Sequence, residues 1–125
     1  MIVSNIMSKA VIINEDLTLK EIADVIAEKG VDTIIVIKDN KIEGIITDGD
    51  IIKNINKKDV RAFKIMSKNV ITINEKESID NAALMMAENK IKRLPVLSKG
   101  KLVGLITSTD IIENSDELNE AFFFG

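Results

Sequence analysis

Gly44-Ile45-Ile46-Thr47-Asp48-Gly49-Asp50-Ile51-Ile52 and Gly104-Leu105-Ile106-Thr107-Ser108-Thr109-Asp110-Ile111-Ile112 are one stretch written twice, at an offset of 60. Outward from it, the same offset of 60 pairs Asn14-Glu15 with Asn74-Glu75, Ala27-Glu28 with Ala87-Glu88, and Lys41 with Lys101. Further upstream, Ile6-Met7-Ser8-Lys9 matches Ile65-Met66-Ser67-Lys68 at an offset of 59. One residue was therefore gained or lost between Lys9 and Asn14, or in the matching stretch of the second copy. Two copies are too few for a solenoid and predict two halves packed about a pseudo-twofold axis.

Each copy reads in the same order. A short β-rich run opens it, Val11-Ile12-Ile13 and Val70-Ile71-Thr72-Ile73. A helix follows, with Thr18 as N-cap and Glu21 completing a capping box. Leu19, Ile22, Ala23, Val25 and Ile26 make its apolar stripe, and Gly30 suits its left-handed end. In the second copy Ser78 caps, and Ile79, Ala82, Ala83, Met85 and Met86 repeat the stripe. A hairpin is expected next, Thr33 to Ile37 and Ile42 to Thr47 about Asp39-Asn40. Leu94 to Leu97 and Leu102 to Thr107 about Lys99-Gly100 form its counterpart. Pro95 should sit where no ladder N–H is needed. A last short helix begins near Asp48 and again near Ser108. The expected fold is α+β, an α/β sandwich of two β-α-β-β-α repeats, 1–58 and 59–125, forming one compact module.

Composition narrows the function. The chain has 125 residues, 46% hydrophobic and 30% charged, with a net charge of −3. That charge argues against a general nucleic-acid binder. There is no Cys and no His, which removes thiolate chemistry, the commonest general base and the commonest zinc ligand. No catalytic residue and no metal cluster is expected, so the chain is read as something other than an enzyme. No basic n-region precedes a long apolar stretch, and runs such as Ile34-Ile35-Val36-Ile37 are too short to span a bilayer. A cytoplasmic location away from membranes is the expectation. Residues 53–64 are basic, with Lys53, Lys57, Lys58, Arg61 and Lys64 against Asp59 alone, whereas Glu113, Asp116, Glu117 and Glu120 make the tail acidic. Both can be solvated faces, or they can attract each other across a dimer. Phe122-Phe123-Phe124 at the end are expected to pack on something.

The motif Gly44-x-x-Thr47-x-x-Asp50, repeated as Gly104-x-x-Thr107-x-x-Asp110 between a hairpin and a helix, resembles that of the CBS domain family. The Ile-Met-Ser signatures and the strand Arg93-Leu94-Pro95-Val96 fit it too. Two motifs in tandem resemble a CBS pair, or Bateman module, from Ile6 to Ile112. The resemblance implies a disc-like pair with strands of the two halves facing each other and two clefts between them. It implies adenosine ligands in those clefts: AMP, ADP, ATP or S-adenosylmethionine. It also implies a homodimer that regulates an attached or associated protein; with nothing attached here, the effector is expected to be a separate chain acting in trans.

A nucleoside pocket needs a carboxylate for the ribose hydroxyls, donors for phosphate and apolar walls for the base. The resemblance implies that Asp110 and Asp50 hold ribose, that Thr107, Thr109 and Thr47 approach ribose or phosphate, and that Leu105 and Ile45 wall the pockets. Thr-x-x-Asp before an apolar run is also a capping box, so the same residues can serve a helix with no ligand at all. The copies differ where Lys92-Arg93 aligns with Asp32-Thr33. In the family, basic residues there face phosphate. The main cleft is therefore expected at Asp110, with Lys92, Arg93, Thr107 and Thr109 for a phosphorylated ligand. The cleft at Asp50 is expected to be empty, weaker, or suited to an uncharged or cationic adenosine compound. The crossed geometry of the family adds Val11 and Val31 to the first cleft, and Ile71 and Ile91 to the second. The competing reading is a ligand-free dimerisation or partner-docking module.

Overall fold

The computed structural model describes residues 1–115. The element order is α1 (Val3–Ile6), β1 (Ile12–Ile13), α2 (Leu19–Lys29), β2 (Thr33–Lys38), β3 (Lys41–Thr47), α3 (Asp48–Asn54), α4 (Ala62–Ile65), β4 (Ile73–Asn74), α5 (Ile79–Asn89), β5 (Arg93–Ser98), β6 (Lys101–Thr107) and α6 (Ser108–Glu113). The class is α+β, with the β-α-β-β-α order present twice. Two compact units form, Ala10–Val70 and a second that joins Met1–Lys9 to Ile71–Gly125.

In the unit Ala10–Val70, β1 runs parallel to β2 and β2 antiparallel to β3. The core gathers Ile13, Ile22, Ile34, Val36, Ile46 and Ala62. Burying an isoleucine side chain is worth about 1.5–3 kcal/mol, so these residues dominate the unit's stability. Helix α2 starts as its sequence demands: the Thr18 hydroxyl accepts the Glu21 N–H at 3.2 Å, and Glu21 accepts the Thr18 N–H at 3.0 Å. It ends on Gly30 at φ 66°, a conformation that costs glycine nothing.

The second unit repeats the plan with β4, β5 and β6. Its core is Val3, Ile73, Ala82, Met86, Leu94, Val96 and Ile106. The Ser78 hydroxyl caps α5 by accepting the Asn81 N–H at 3.0 Å. Here Lys90, at φ 54°, takes the left-handed place that Gly30 fills in the other unit. The apolar face of α5 is narrower than its sequence pattern predicts. Of that stripe, Ala82 and Met86, one turn apart, are buried, Ile79 and Met85 are half-buried, and Ala83 is exposed.

Both hairpins close on two residues with positive φ, Asp39 (52°) and Asn40 (62°), then Lys99 (51°) and Gly100 (78°). Two such residues make the turn whose twist matches that of the flanking strands. Pro95 is buried in the central strand β5, opposite Leu105. At the matching place in the other unit, Ile35 donates its N–H to the Val11 carbonyl at 2.9 Å. Pro95 has no N–H to give. Accordingly β1 begins pairing at Ile12 opposite Ile35, whereas β4 begins one position later, at Ile73 opposite Val96. The proline sits where no ladder N–H is used.

Two elements lie outside the pattern read from the sequence. The segments α1 and α4 are single helical turns formed by the chain just before each Met-Ser pair. They are too short to carry a periodic signal. Each is anchored from elsewhere in its unit. Val3 N–H bonds the Glu77 carbonyl at 2.8 Å, and Phe63 N–H bonds Asp16 Oδ1 at 2.8 Å. Among the described residues, no helix is long and apolar enough to cross a membrane. The Phe-rich tail lies outside the described residues.

Candidate functional site

The repeated motif occupies the same place in each unit, the junction between the last strand of the sheet and a short helix. Strand β3 hands over to α3 at Thr47, and β6 to α6 at Thr107. Within each hairpin, Thr47 pairs with Thr33 and Thr107 with Arg93. A backbone bond tightens each junction. Asp48 N–H reaches the Asp32 carbonyl at 3.1 Å, and Ser108 N–H reaches the Lys92 carbonyl at 2.9 Å. The start of the short helix and the two residues opening the hairpin thus form one constellation. In the second unit that constellation is Lys92, Arg93, Thr107, Ser108, Thr109 and Asp110.

The motif aspartates cap their helices. Asp110 Oδ2 accepts the Thr107 N–H at 2.9 Å, and the Thr107 hydroxyl accepts the Asp110 N–H at 3.1 Å. Asp50 Oδ2 accepts the Thr47 N–H at 2.9 Å and the Thr47 hydroxyl at 3.3 Å. The far end of each short helix is also repeated. Asn54 and Asn114 donate side-chain N–H groups to the Asp50 and Asp110 carbonyls at 2.7 and 2.8 Å. The capping reading of Thr-x-x-Asp is therefore realised in both units. Capping leaves acceptor capacity, because a carboxylate offers about four lone-pair sites.

The charge at the two junctions is opposite in sense. One carries Asp32, Asp48 and Asp50. The other carries Lys92 and Arg93 with Asp110, and Ser108 stands where Asp48 stands in the first. Asp32 accepts the Thr33 hydroxyl at 2.8 Å, and Asp48 accepts the Gly49 N–H at 2.8 Å. In charged residues the first junction is wholly acidic and the second is mixed, with Thr107, Ser108 and Thr109 adding hydroxyl side chains. Asp48 as a contributor to this contrast escaped the sequence reading, although the aligned pair Asp48/Ser108 was visible.

The structure unites six of the residues assigned to the main site, namely Asp110, Thr107, Thr109, Leu105, Lys92 and Arg93, in one unit. Val11 and Val31 belong to the other unit, as do Asp50, Thr47 and Ile45. Ile71 and Ile91 pack against the core that holds Leu94 and Ile106, and Val11 packs against the core of its own unit. Leu105 is buried and Ile45 half-buried. Among the described residues, no group of three or more His, Cys, Asp or Glu is placed to hold a metal ion.

One further side chain enters the site. Ser8 donates its hydroxyl to Asp110 Oδ1 at 3.0 Å. Its backbone pairs with that of Leu105 through two bonds of 2.8 and 2.9 Å, which lays the segment along β6. The only trace of Ser8 in the sequence is the repeated Ile-Met-Ser-Lys signature, whose partner lies about a hundred residues downstream.

The CBS domain family model matches residues 3–57 and 60–117. The chain belongs to the CBS domain family. Its two CBS repeats account for both the doubled motif and the doubled sheet. The chain is 37% identical over 102 residues to the uncharacterized protein MJ1232 of Methanocaldococcus jannaschii, covering 81% of this chain and 34% of that protein. It is similar in fold to the CBS domain pair of protein MJ0100 in complex with 5′-methylthioadenosine and S-adenosyl-L-methionine, with a TM-score of 0.82, 29% identity and coverage of 90% and 94%. A hexameric CBS-CP12 protein from bloom-forming cyanobacteria matches with a TM-score of 0.85, 26% identity and coverage of 96% and 71%. The chain spans 34% and 28% of the lengths of the first two curated relatives that it matches.

Proposed function

We propose that this CBS pair is a regulatory module that senses an adenosine-containing ligand and has no catalytic role of its own. The observation that carries the reading is the junction of β6 and α6, where the capped carboxylate of Asp110 keeps spare acceptor sites and the hairpin pairing at that end begins with Lys92 and Arg93. A similar CBS pair, that of MJ0100, is a complex with two adenosine compounds, which supports the ligand class.

In this reading Asp110 accepts the ribose hydroxyls of a phosphorylated adenosine ligand. Lys92, Arg93, Thr107 and Thr109 face its phosphate, and Leu105 lies against the base. Asp50, Thr47 and Ile45 serve the weaker site. The carboxylates of Asp32 and Asp48 disfavour phosphate there and suit an uncharged or cationic compound. 5′-Methylthioadenosine and S-adenosylmethionine are of those two kinds. We assign the module a cytoplasmic setting, a homodimeric state and a protein effector under its control.

The complete capping boxes favour a second reading, a partner-docking module whose Thr-x-x-Asp motifs serve only their helices. A thermal-shift panel of AMP, ADP, ATP, GTP, 5′-methylthioadenosine and S-adenosylmethionine separates the two. A ligand at 100 times its Kd stabilises by about 2.7 kcal/mol. The sensing reading expects a shift with adenosine compounds and none with GTP. A flat response to every compound supports docking instead.

A further inference from the structure

Asp110 and Asp50 occupy equivalent positions but are held differently. Asp110 is held through both oxygens, with Thr107 N–H on Oδ2 at 2.9 Å and the Ser8 hydroxyl on Oδ1 at 3.0 Å. At Asp50, both side-chain bonds fall on one oxygen, Oδ2, and both come from Thr47. Ser67 is the repeat equivalent of Ser8. Its backbone pairs with Ile45 through bonds of 3.0 and 2.9 Å, as Ser8 pairs with Leu105. Among the described residues its hydroxyl makes no bond to Asp50. The backbone device is thus common to both units, and the hydroxyl clamp belongs to one.

A carboxylate gripped by a single oxygen can pivot about that contact. One gripped at both oxygens has its plane fixed. With one of about two lone pairs used on each oxygen, Asp110 keeps about one acceptor site on each, side by side in a fixed plane. That arrangement suits two adjacent hydroxyls, and fixing it before binding removes an ordering cost. We infer that Ser8 is the positioning residue that orients the Asp110 carboxylate for a vicinal diol, and so makes the Asp110 site the tighter of the two. The inference rests on the adenosine reading above, and it names a difference between the sites that is independent of Lys92 and Arg93.

Titration calorimetry with AMP and with 2′,3′-dideoxy-AMP on Ser8→Ala, Ser8→Thr and Ser67→Ala variants tests it. Losing one hydrogen bond to a charged group that orients the diol acceptor is expected to weaken AMP by about fivefold. Ser8→Ala should show that loss for AMP and none for the dideoxy analogue. Ser8→Thr should restore AMP binding, and Ser67→Ala should leave the tighter site unchanged. Equal AMP affinity in the original chain and Ser8→Ala overturns the inference, as does an equal loss for both ligands. If the unaltered chain takes up no AMP, the adenosine reading itself fails. A urea double-mutant cycle of Ser8→Ala with Asp110→Ala then decides the clamp alone: a coupled pair upholds the orienting contact, and additive effects remove it.

Discussion

The side chain of Met66 occupies the space into which a β-carbon on Gly44 would project. Such a carbon would lie 2.6 Å from Met66 Cγ and Sδ and 2.9 Å from its Cβ. Gly104 stands in the same relation to Met7, whose Sδ would lie at 2.7 Å, with the Ser8 carbonyl at 3.0 Å. The motif glycine and the signature methionine are therefore two halves of one packing contact. Forcing a methyl group into such a contact costs about 1–3 kcal/mol. Gly44→Ala should lower the urea midpoint by that measure, and Met66→Ala in the same chain should recover part of it. Gly104→Ala should cost a similar amount, because each site holds one atom that cannot swing aside, the Met66 Cβ at 2.9 Å and the Ser8 carbonyl at 3.0 Å.

The ends of α2 and α5 give a paired test of backbone strain. Gly30 has φ 66°, and nothing would lie within 4 Å of a β-carbon there. Gly30→Ala should destabilise by about 1 kcal/mol through the left-handed backbone alone. Lys90 already carries that strain at φ 54°. Lys90→Gly should therefore raise the melting temperature, by up to about 1 kcal/mol in stability terms. Equal and unchanged midpoints for both variants would show that neither end is strained.

Glu21 ties stability to acid. Its bonds from the Thr18 backbone and then the Thr18 hydroxyl, with the Arg61 charge nearby, hold its pKa below the ordinary value of 4.5. A carboxyl whose folded pKa is depressed stabilises the fold above its unfolded pKa, and that contribution is lost as pH falls through the folded value. Glu21→Gln should accordingly be less stable than the original chain at about pH 7, and the gap should narrow as pH falls below 4.5. A gap that stays constant in urea titrations across that range would remove Glu21 from the acid response.

Much of the fold was legible in the sequence because the cues were local. Thr18 and Glu21 mark a helix start three residues apart. Asp39-Asn40 and Lys99-Gly100 mark turns, and short aliphatic runs mark the strands beside them. What escaped was non-local. Ile6-Met7-Ser8-Lys9 reads as a signature of the first copy, yet it packs with Leu105 and Asp110. No period in the sequence links residues 102 positions apart. The turn α4 was equally hidden, since the carboxylate that anchors its start is Asp16, 47 positions upstream of Phe63. The site was legible as a motif, but its asymmetry was only half legible. Lys92-Arg93 stands against Asp32-Thr33 at matching positions of the repeat, whereas the bond of Ser8 to Asp110 arises only when the chain folds.

The charge contrast between the junctions yields a selectivity prediction. Lys92→Ala with Arg93→Ala should weaken AMP by tenfold or more, since a charged hydrogen bond is worth about 1.5–3 kcal/mol. Adenosine affinity should change little. Fluorescence displacement with both ligands reads the difference, and a parallel loss for both would deny the two cations a phosphate role.

The role of Asp110 itself remains the most direct test, made by titration calorimetry of AMP into the original chain and into Asp110→Ala. The account predicts measurable AMP binding that falls by tenfold or more in the variant, because about two acceptor sites for the ribose are removed. Unchanged AMP affinity in Asp110→Ala would contradict it.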